Sequence, residues 1–326
     1  MPVDVVIRSY EAGDEQQILD LFARSFHSPR SLESWRWKFE NDPWGRTRIS
    51  LAFDDAGKLL GHYAGYPMPF VIDGKRVLAN QIGDTMTDPS IRHIGRGPTS
   101  ILGRTALHFY EHFAERNVAF NYGFNVANIQ KFSLRFLRSD RVEPVTYRVR
   151  QAPPPVGRLR RWALGYQLEL VTEVTSEYDA FFARVAPFYR FLVERNAQYL
   201  RWRYLQNPDH RYVLIAIRKW RKLAGWIVFR IRENRFTIGD ALFDPNFPDA
   251  FTILLRHVVS SYPVELVEGW FPPRPSWFDV MLRDAGFVTH PEPQDLSVMC
   301  VPFVMQDAVA RMRESLYYTW GDSDLF

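Results

Sequence analysis

From Val5 the chain reads "VVIRSYEAGDEQQILDLFARSF": an apolar run, a polar break, then apolar positions Ile18, Leu19, Phe22 and Phe26 at helical spacing. Such a stretch predicts a strand, a turn and an amphipathic helix. Along the first half the pattern predicts a strand at 3–8, helices at about 14–26 and 31–40, and strands near 48–54, 58–70 and 76–87. A helix at about 98–115 follows, then a strand at 118–124, a helix from about Asn128 and a last strand near 142–150. This order predicts the α/β (α+β) class: a mixed, mostly antiparallel sheet flanked by helices, with one strand–turn–helix unit in its middle.

The pattern then recurs. "WRWKFENDPWGR" (35–46) returns as "LRWRYLQNPDHR" (200–211), pairing Trp37 with Trp202, Pro43 with Pro208 and Arg46 with Arg211 at an offset of 165. "GDTMTDP" (83–89) returns as "GDALFDP" (239–245) at 156, and "RFLRSDRV" (135–142) more loosely as "MLRDAGFV" (281–288) at 146. Falling offsets are what shortened loops produce, so the chain reads as one domain written twice. Between the copies, Pro153–Pro155 cannot join a central strand or a helix interior. The expected division is a first domain at 1–152, a linker at 153–163, a second domain at 164–304, and a helix and tail at 305–326.

Composition narrows this picture without changing it. A chain of 326 residues, 46% apolar and 24% charged, is long enough for two domains with real cores. No apolar run approaches the ~20 residues a bilayer span needs, so no membrane insertion is expected. The N-terminus lacks the order of a signal peptide. One cysteine, Cys300, excludes an internal disulfide framework and fits a reducing cytoplasm, the expected location. A net charge of +4 suits an anionic ligand. The Arg-rich, aromatic stretch 189–208 has its apolar residues at helical spacing and reads as packing, so nucleic acid is not an expected partner. His108 and His112 lack a third ligand and read as a solvated helix face, so no metal is expected.

One turn carries chemistry. Arg92, Gly95 and Gly97 form R-x-x-G-x-G where a strand hands over to a helix. The glycines let the backbone turn tightly and approach a ligand, and the N–H groups at the helix start favour a phosphate. Arg92 and Arg96 add positive charge. In the second copy the three slots hold Pro248, Phe251 and Ile253, with Asp244 and Asp249 nearby.

This turn follows a "TMTDP" strand, precedes a Leu-containing helix and lies about 25 residues before "GFNVAN". In that setting it resembles the GNAT superfamily of acyl-CoA-dependent N-acyltransferases. The resemblance covers the first copy nearly whole and the second in outline, and implies two tandem GNAT-like domains, the second degenerate. Tandem aminoglycoside acetyltransferases of the enhanced-intracellular-survival type and Fem-type aminoacyltransferases are similar in arrangement.

The resemblance implies acetyl-CoA or another acyl-CoA as co-substrate and a small-molecule amine as acceptor. The backbone of Arg92, His93, Ile94, Gly95, Arg96 and Gly97 would hold the pyrophosphate. Met86 and Thr87 would pair with the pantetheine amides, and Asn125 and Asn128 would contact the same arm. The family's usual acid is a Tyr, but its slot reads "KFSLRFLRSDRV" with Phe132 and Phe136, so Tyr122 on the preceding strand becomes the candidate. Asp84 is the candidate base. Its neighbours in "QIGDTMT" are uncharged, and burial is expected to raise its pKa. The tail "MRESLYYTWGDSDLF" is too aromatic for disorder. By the same resemblance its Phe326 carboxylate is a third candidate in the acceptor site, with Asp322 and Asp324 as substitutes. Two other functions stay open: a non-catalytic acyl-CoA sensor or scaffold, and a Fem-like aminoacyltransferase.

Overall fold

The opening strand–break–helix forms as β1 (Val6–Ser9) and α1 (Glu15–Phe26), followed by α2 (Leu32–Phe39). The computed structural model describes residues 5–92, 95, 97–152 and 165–326. Three strands then run β2 (Arg48–Phe53), β3 (Leu59–Ile72) and β4 (Lys75–Thr87). After them come α3 (Ile101–Phe113), β5 (Phe120–Asn125), α4 (Ala127–Phe136) and β6 (Asp140–Pro144). Helix α3 starts where the Ser100 hydroxyl accepts the Gly103 N–H at 3.1 Å, supplying one of the partners a helix start lacks.

The second half repeats the order. It runs β7 (Tyr147–Gln151), β8 (Tyr166–Leu170), α5 (Glu177–Tyr189), a short β9 (Phe191–Val193) and α6 (Ala197–Leu200), which continues into a π turn at Arg201–Leu205. Then follow β10 (Val213–Lys219), β11 (Lys222–Arg232), β12 (Arg235–Phe243), α7 (Ala250–Val259) and β13 (Leu266–Trp270). The last elements are α8 (Ser276–Asp284), β14 (Val288–His290), β15 (Ser297–Pro302) and α9 (Ala308–Ser315).

Two mixed sheets result. The first runs β1-β2-β3-β4-β5-β15-β6 and the second β8-β10-β11-β12-β13-β7-β14. In each, a parallel pair (β4 with β5, β12 with β13) is joined through a crossover helix, and the other recorded pairs are antiparallel. The topologies match position for position.

The expected strand at 142–150 is two strands, and they go to different sheets. β6 stays in the first, whereas β7 joins the second, where Tyr147 and Val149 are buried beside Val267. β15 does the reverse and lies between β5 and β6, with Val298 and Cys300 buried. One compact unit therefore comprises Met1–Phe70, Arg76–Pro144 and Leu296–Arg313; the other comprises Val71–Lys75, Val145–Asp295 and Glu314–Phe326. A single cut at 153–163 does not describe this division, and that segment lies outside the described residues. The reason is that each sheet has a slot between its last two own strands, β5 and β6 or β13 and β14, and fills it with a strand from the sequence of the other copy.

The repeated words do the same local work. Ser31 accepts from Ser34 N at 3.0 Å to begin α2, and Asn196, 165 positions on, accepts from Tyr199 N at 2.9 Å to begin α6. Asp42 turns the chain by accepting from Trp44 N, as Asn207 does from Asp209 N. In the first unit α3 lays Ala106, Phe109 and Tyr110 against Tyr63, Leu137 and Val301. Each large apolar side chain buried there contributes about 1.5–3 kcal/mol.

Candidate active site

The site begins where β4 and β5 part. Their recorded pairs are Asn80↔Asn121 and Gln81↔Tyr122, tied by an Asn80 Nδ2 to Asn121 Oδ1 hydrogen bond of 2.9 Å. Three residues further on, Asp84 sits at φ +50°, a left-handed conformation that Asp tolerates better than most residues but that breaks strand geometry. Its carbonyl accepts from His62 Nδ1 at 2.7 Å.

The Asp84 carboxylate is clamped by two cations. Arg30 donates to both of its oxygens, and Lys38 Nζ donates to Oδ1 at 3.1 Å. The Asp84 side chain is only 7% exposed. Arg30 in turn lies 3.9 Å over the Phe22 ring. Burial alone would raise the Asp84 pKa, but Arg30 and Lys38 overcome it and hold the carboxyl well below the usual range. The expectation of a raised pKa is thus corrected. Partners 54 and 46 positions away reach a residue whose immediate neighbours are neutral. As found, Asp84 is an ionised anchor in two ion pairs.

Tyr122 is a buried strand aromatic. Its hydroxyl donates to Gln81 Oε1 at 2.9 Å, and its ring meets Phe70 edge-on at 5.1 Å. It lines a small cavity of about 30 Å³ with Ile82, Gly123, Asn125, Ser133 and Cys300. Asn125 is half-buried, and its carbonyl accepts from Gln130 Nε2 at 2.7 Å; Asn128 is exposed on α4.

At the turn, Gly95 (φ +77°) and Gly97 (φ +57°) both need the freedom of glycine. A Cβ at Gly95 would lie 2.9 Å from the Ser100 backbone, and one at Gly97 would lie 2.6 Å from the Phe136 ring. Phe136, in the slot where an acid was sought, is thus a wall of the turn. Arg92 is exposed and donates from Nε to the Thr87 carbonyl at 3.1 Å, bracing the end of β4. Met86 is buried and Thr87 half-buried. His93, Ile94 and Arg96 lie outside the described residues. Two left-handed glycines ahead of a 13-residue helix make a cradle that fits a phosphate group.

Phe326 belongs to the second unit and is 3% exposed. Its main-chain oxygen accepts from Tyr212 Oη at 2.7 Å, its ring stacks on Tyr212 at 4.9 Å, and it fills the space where Gly239 lacks a Cβ. Asp322, in the same unit, meets Arg195 Nη2 at 2.6 Å, while Asp324 is exposed. The structure therefore brings Asp84, Tyr122 and the turn into one unit and builds the tail into the core of the other.

Sequence reasoning missed Arg30, Lys38 and His62. A signal existed for two of them. Arg30 and Lys38 recur as Arg195 and Arg203 at the same 165 offset, just as Asp84 recurs as Asp240 at 156. His108 and His112 are not simply solvated: their rings stack at 3.9 Å, and His108 Nδ1 pairs with the Ser50 hydroxyl at 2.8 Å. Among the described residues no group of three His, Cys, Asp or Glu is placed to hold a metal ion. None of the described helices is long and apolar enough to cross a membrane.

A family model for the acetyltransferase (GNAT) domain matches residues 6–134. No curated protein matches the chain. Among solved structures, a conserved protein of unknown function from Enterococcus faecalis V583, a probable N-acyltransferase, is similar over 93% of this chain and 74% of its own, at 15% identity and a TM-score of 0.69. A GCN5-related N-acetyltransferase from Kribbella flavida is similar over 92% and 71%, at 14% identity and 0.63. Eis1 from Mycobacterium abscessus is similar over 94% and 75%, at 17% identity and 0.60. At these identities the likeness is one of fold, and it extends along nearly the whole chain. The domain match spans both the parting strands and the glycine turn, so residues 6–134 match a GNAT acetyltransferase domain, and the fold is shared with these solved structures along nearly the whole chain.

Proposed function

We propose that the protein is an acyl-CoA-dependent N-acyltransferase, acetyl-CoA being the first donor to try, that acylates the primary amine of a small-molecule acceptor. The observation that carries this reading is the parting of β4 from β5 after Gln81, with Asp84 left-handed beyond it, ahead of a left-handed glycine turn that feeds α3. Acyl-CoA, when bound, supplies an activated acyl carbon and a thiolate leaving group.

The chain's own residues bind and orient. The backbone from Arg92 to Gly97, with His93, Ile94 and Arg96 included, together with the start of α3, holds the pyrophosphate. The main chain of Met86 and Thr87 takes the pantetheine amides, and Asn125 and Asn128 offer polar contacts along the same arm. Tyr122 holds a proton at Oη, now directed to Gln81, and is the candidate acid. Asp84 acts through its charge, fixing Arg30 and Lys38; taking a proton would require it to leave both. A catalytic role for Phe326 would likewise require its main-chain oxygen to leave Tyr212 and Arg203. The second unit is a copy without a cofactor turn. Phe251 and Ile253, in the slots of Gly95 and Gly97, are buried in α7 rather than facing a ligand.

Calorimetry with acetyl-CoA, followed by thiol release across a panel of amines, tests this reading. Tyr122→Phe should lower amine-dependent turnover roughly tenfold or more. A second reading, an acyl-CoA sensor, is favoured by one fact: both proton-carrying candidates are already engaged, Asp84 by two cations and Tyr122 by Gln81. Tight binding with no turnover on any amine would select it.

A further inference from the structure

β4 stops pairing with β5 near a residue whose backbone has the wrong hand for a strand. Asp84 tolerates the left-handed region without preferring it, so something must hold it there. Its carboxylate is held by Arg30 and Lys38, whereas its carbonyl is held from β3, where His62 Nδ1 approaches to 2.7 Å. A carbonyl can only accept, so Nδ1 carries the hydrogen and Nε2 the lone pair.

His62 is an odd choice for its position. It is 1% exposed and meets Phe39 edge-on at 6.3 Å, and Nε2 has no hydrogen-bond partner among the described residues. A buried imidazole with one nitrogen unbonded is less stable there than a leucine or phenylalanine would be. What it supplies instead is a single N–H aimed at the Asp84 carbonyl. Burial lowers its pKa to about 4, with Asp84, Arg30 and Lys38 the charged groups that face it, so this neutral tautomer persists around pH 7.

We infer that His62 is a positioning residue: by holding the Asp84 carbonyl it fixes the left-handed kink in β4, and so sets the direction of the Met86–Thr87 main chain. The consequence for catalysis rests on the proposed acyl-CoA reading; the lock itself does not.

Three variants of the full chain test it: His62→Ala, His62→Asn and His62→Gln. The Asn amide can present an N–H near the position of Nδ1, and the Gln amide near that of Nε2. By hydrogen-exchange mass spectrometry, exchange in 82–87 should rise at least tenfold in His62→Ala and return toward wild type in His62→Asn but not in His62→Gln. Peptides of α3 in the same unit, unchanged throughout, would show that the first unit of each variant folds. With acetyl-CoA and an active amine, kcat should fall at least tenfold in His62→Ala with the amine KM and the shape of the pH profile unchanged. Unchanged exchange in His62→Ala, recovery by Gln rather than Asn, or loss of a pH limb would overturn the inference. If the wild type neither binds nor turns over acetyl-CoA, the proposed function fails while the exchange comparison still decides the lock.

Discussion

Arg195 Nε donates to Asp240 Oδ1 at 2.8 Å with both side chains wholly buried. The pair stands at the positions that Arg30 and Asp84 hold in the first copy. Around Asp240 the second unit adds Tyr204 at 2.7 Å and Thr319 at 2.9 Å, and Asp322 takes Arg195 Nη2 at 2.6 Å. Removing Asp240 leaves Arg195 its Asp322 partner but takes the acceptor from three buried donors, Arg195 Nε, Tyr204 Oη and Thr319 Oγ1. Asp240→Ala should therefore lower stability by about 3–5 kcal/mol, read from the urea midpoint. A loss below 1 kcal/mol would mean that water reaches Arg195.

The cradle gives a second prediction. Gly97→Asp places a side chain on a left-handed residue, against Phe136 and beside the phosphate position. Acetyl-CoA affinity by calorimetry should fall at least a hundredfold. Phe251→Ala in the second copy should leave that affinity unchanged, yet cost about 3–5 kcal/mol of stability, because Phe251 packs with Phe243, Phe278 and Phe287. Equal affinity in Gly97→Asp and wild type would remove the turn from the site.

Truncating the tail should not spare the fold, contrary to what its distance in sequence from the glycine turn suggests. Deleting Trp320–Phe326 removes the Trp320 stack on Trp270 (4.8 Å, 6° between planes), the Asp322 partner of Arg195, and the ring that fills the space at Gly239. The melting temperature should drop by ten degrees or more. Turnover per folded molecule should stay within twofold; a strong loss of turnover in the remaining folded protein would return Phe326 to the catalytic residues.

Stability should also depend on pH through His62. Its folded pKa of about 4 lies below the ordinary 6.5, so below pH 6.5 the unfolded chain binds a proton that the folded chain refuses. The stability His62 contributes is fully present above pH 6.5 and is lost as the pH falls toward 4, by roughly 3 kcal/mol in all. His62→Asn should flatten that part of the urea-midpoint profile, and an unchanged slope would mean that His62 charges in the folded state.

The sequence by itself determined the order of elements, the repeated helix start, and the glycine turn ahead of α3. These depend on periodicity, on a capping side chain a few residues from its N–H, and on glycine's tolerance of positive φ, all properties of short stretches of chain. The tertiary structure decided the rest. β7 and β15 both read as strands, and only the slot between two strands of the other copy determined where each would pair. Asp84 looked like a residue whose burial would protonate it until Arg30 and Lys38 arrived from α2 and the loop before it. The tail's aromatics signalled packing but not where. Local preference is written in neighbouring residues, whereas the partner of a buried charge or of an aromatic ring is settled only when distant surfaces close around it.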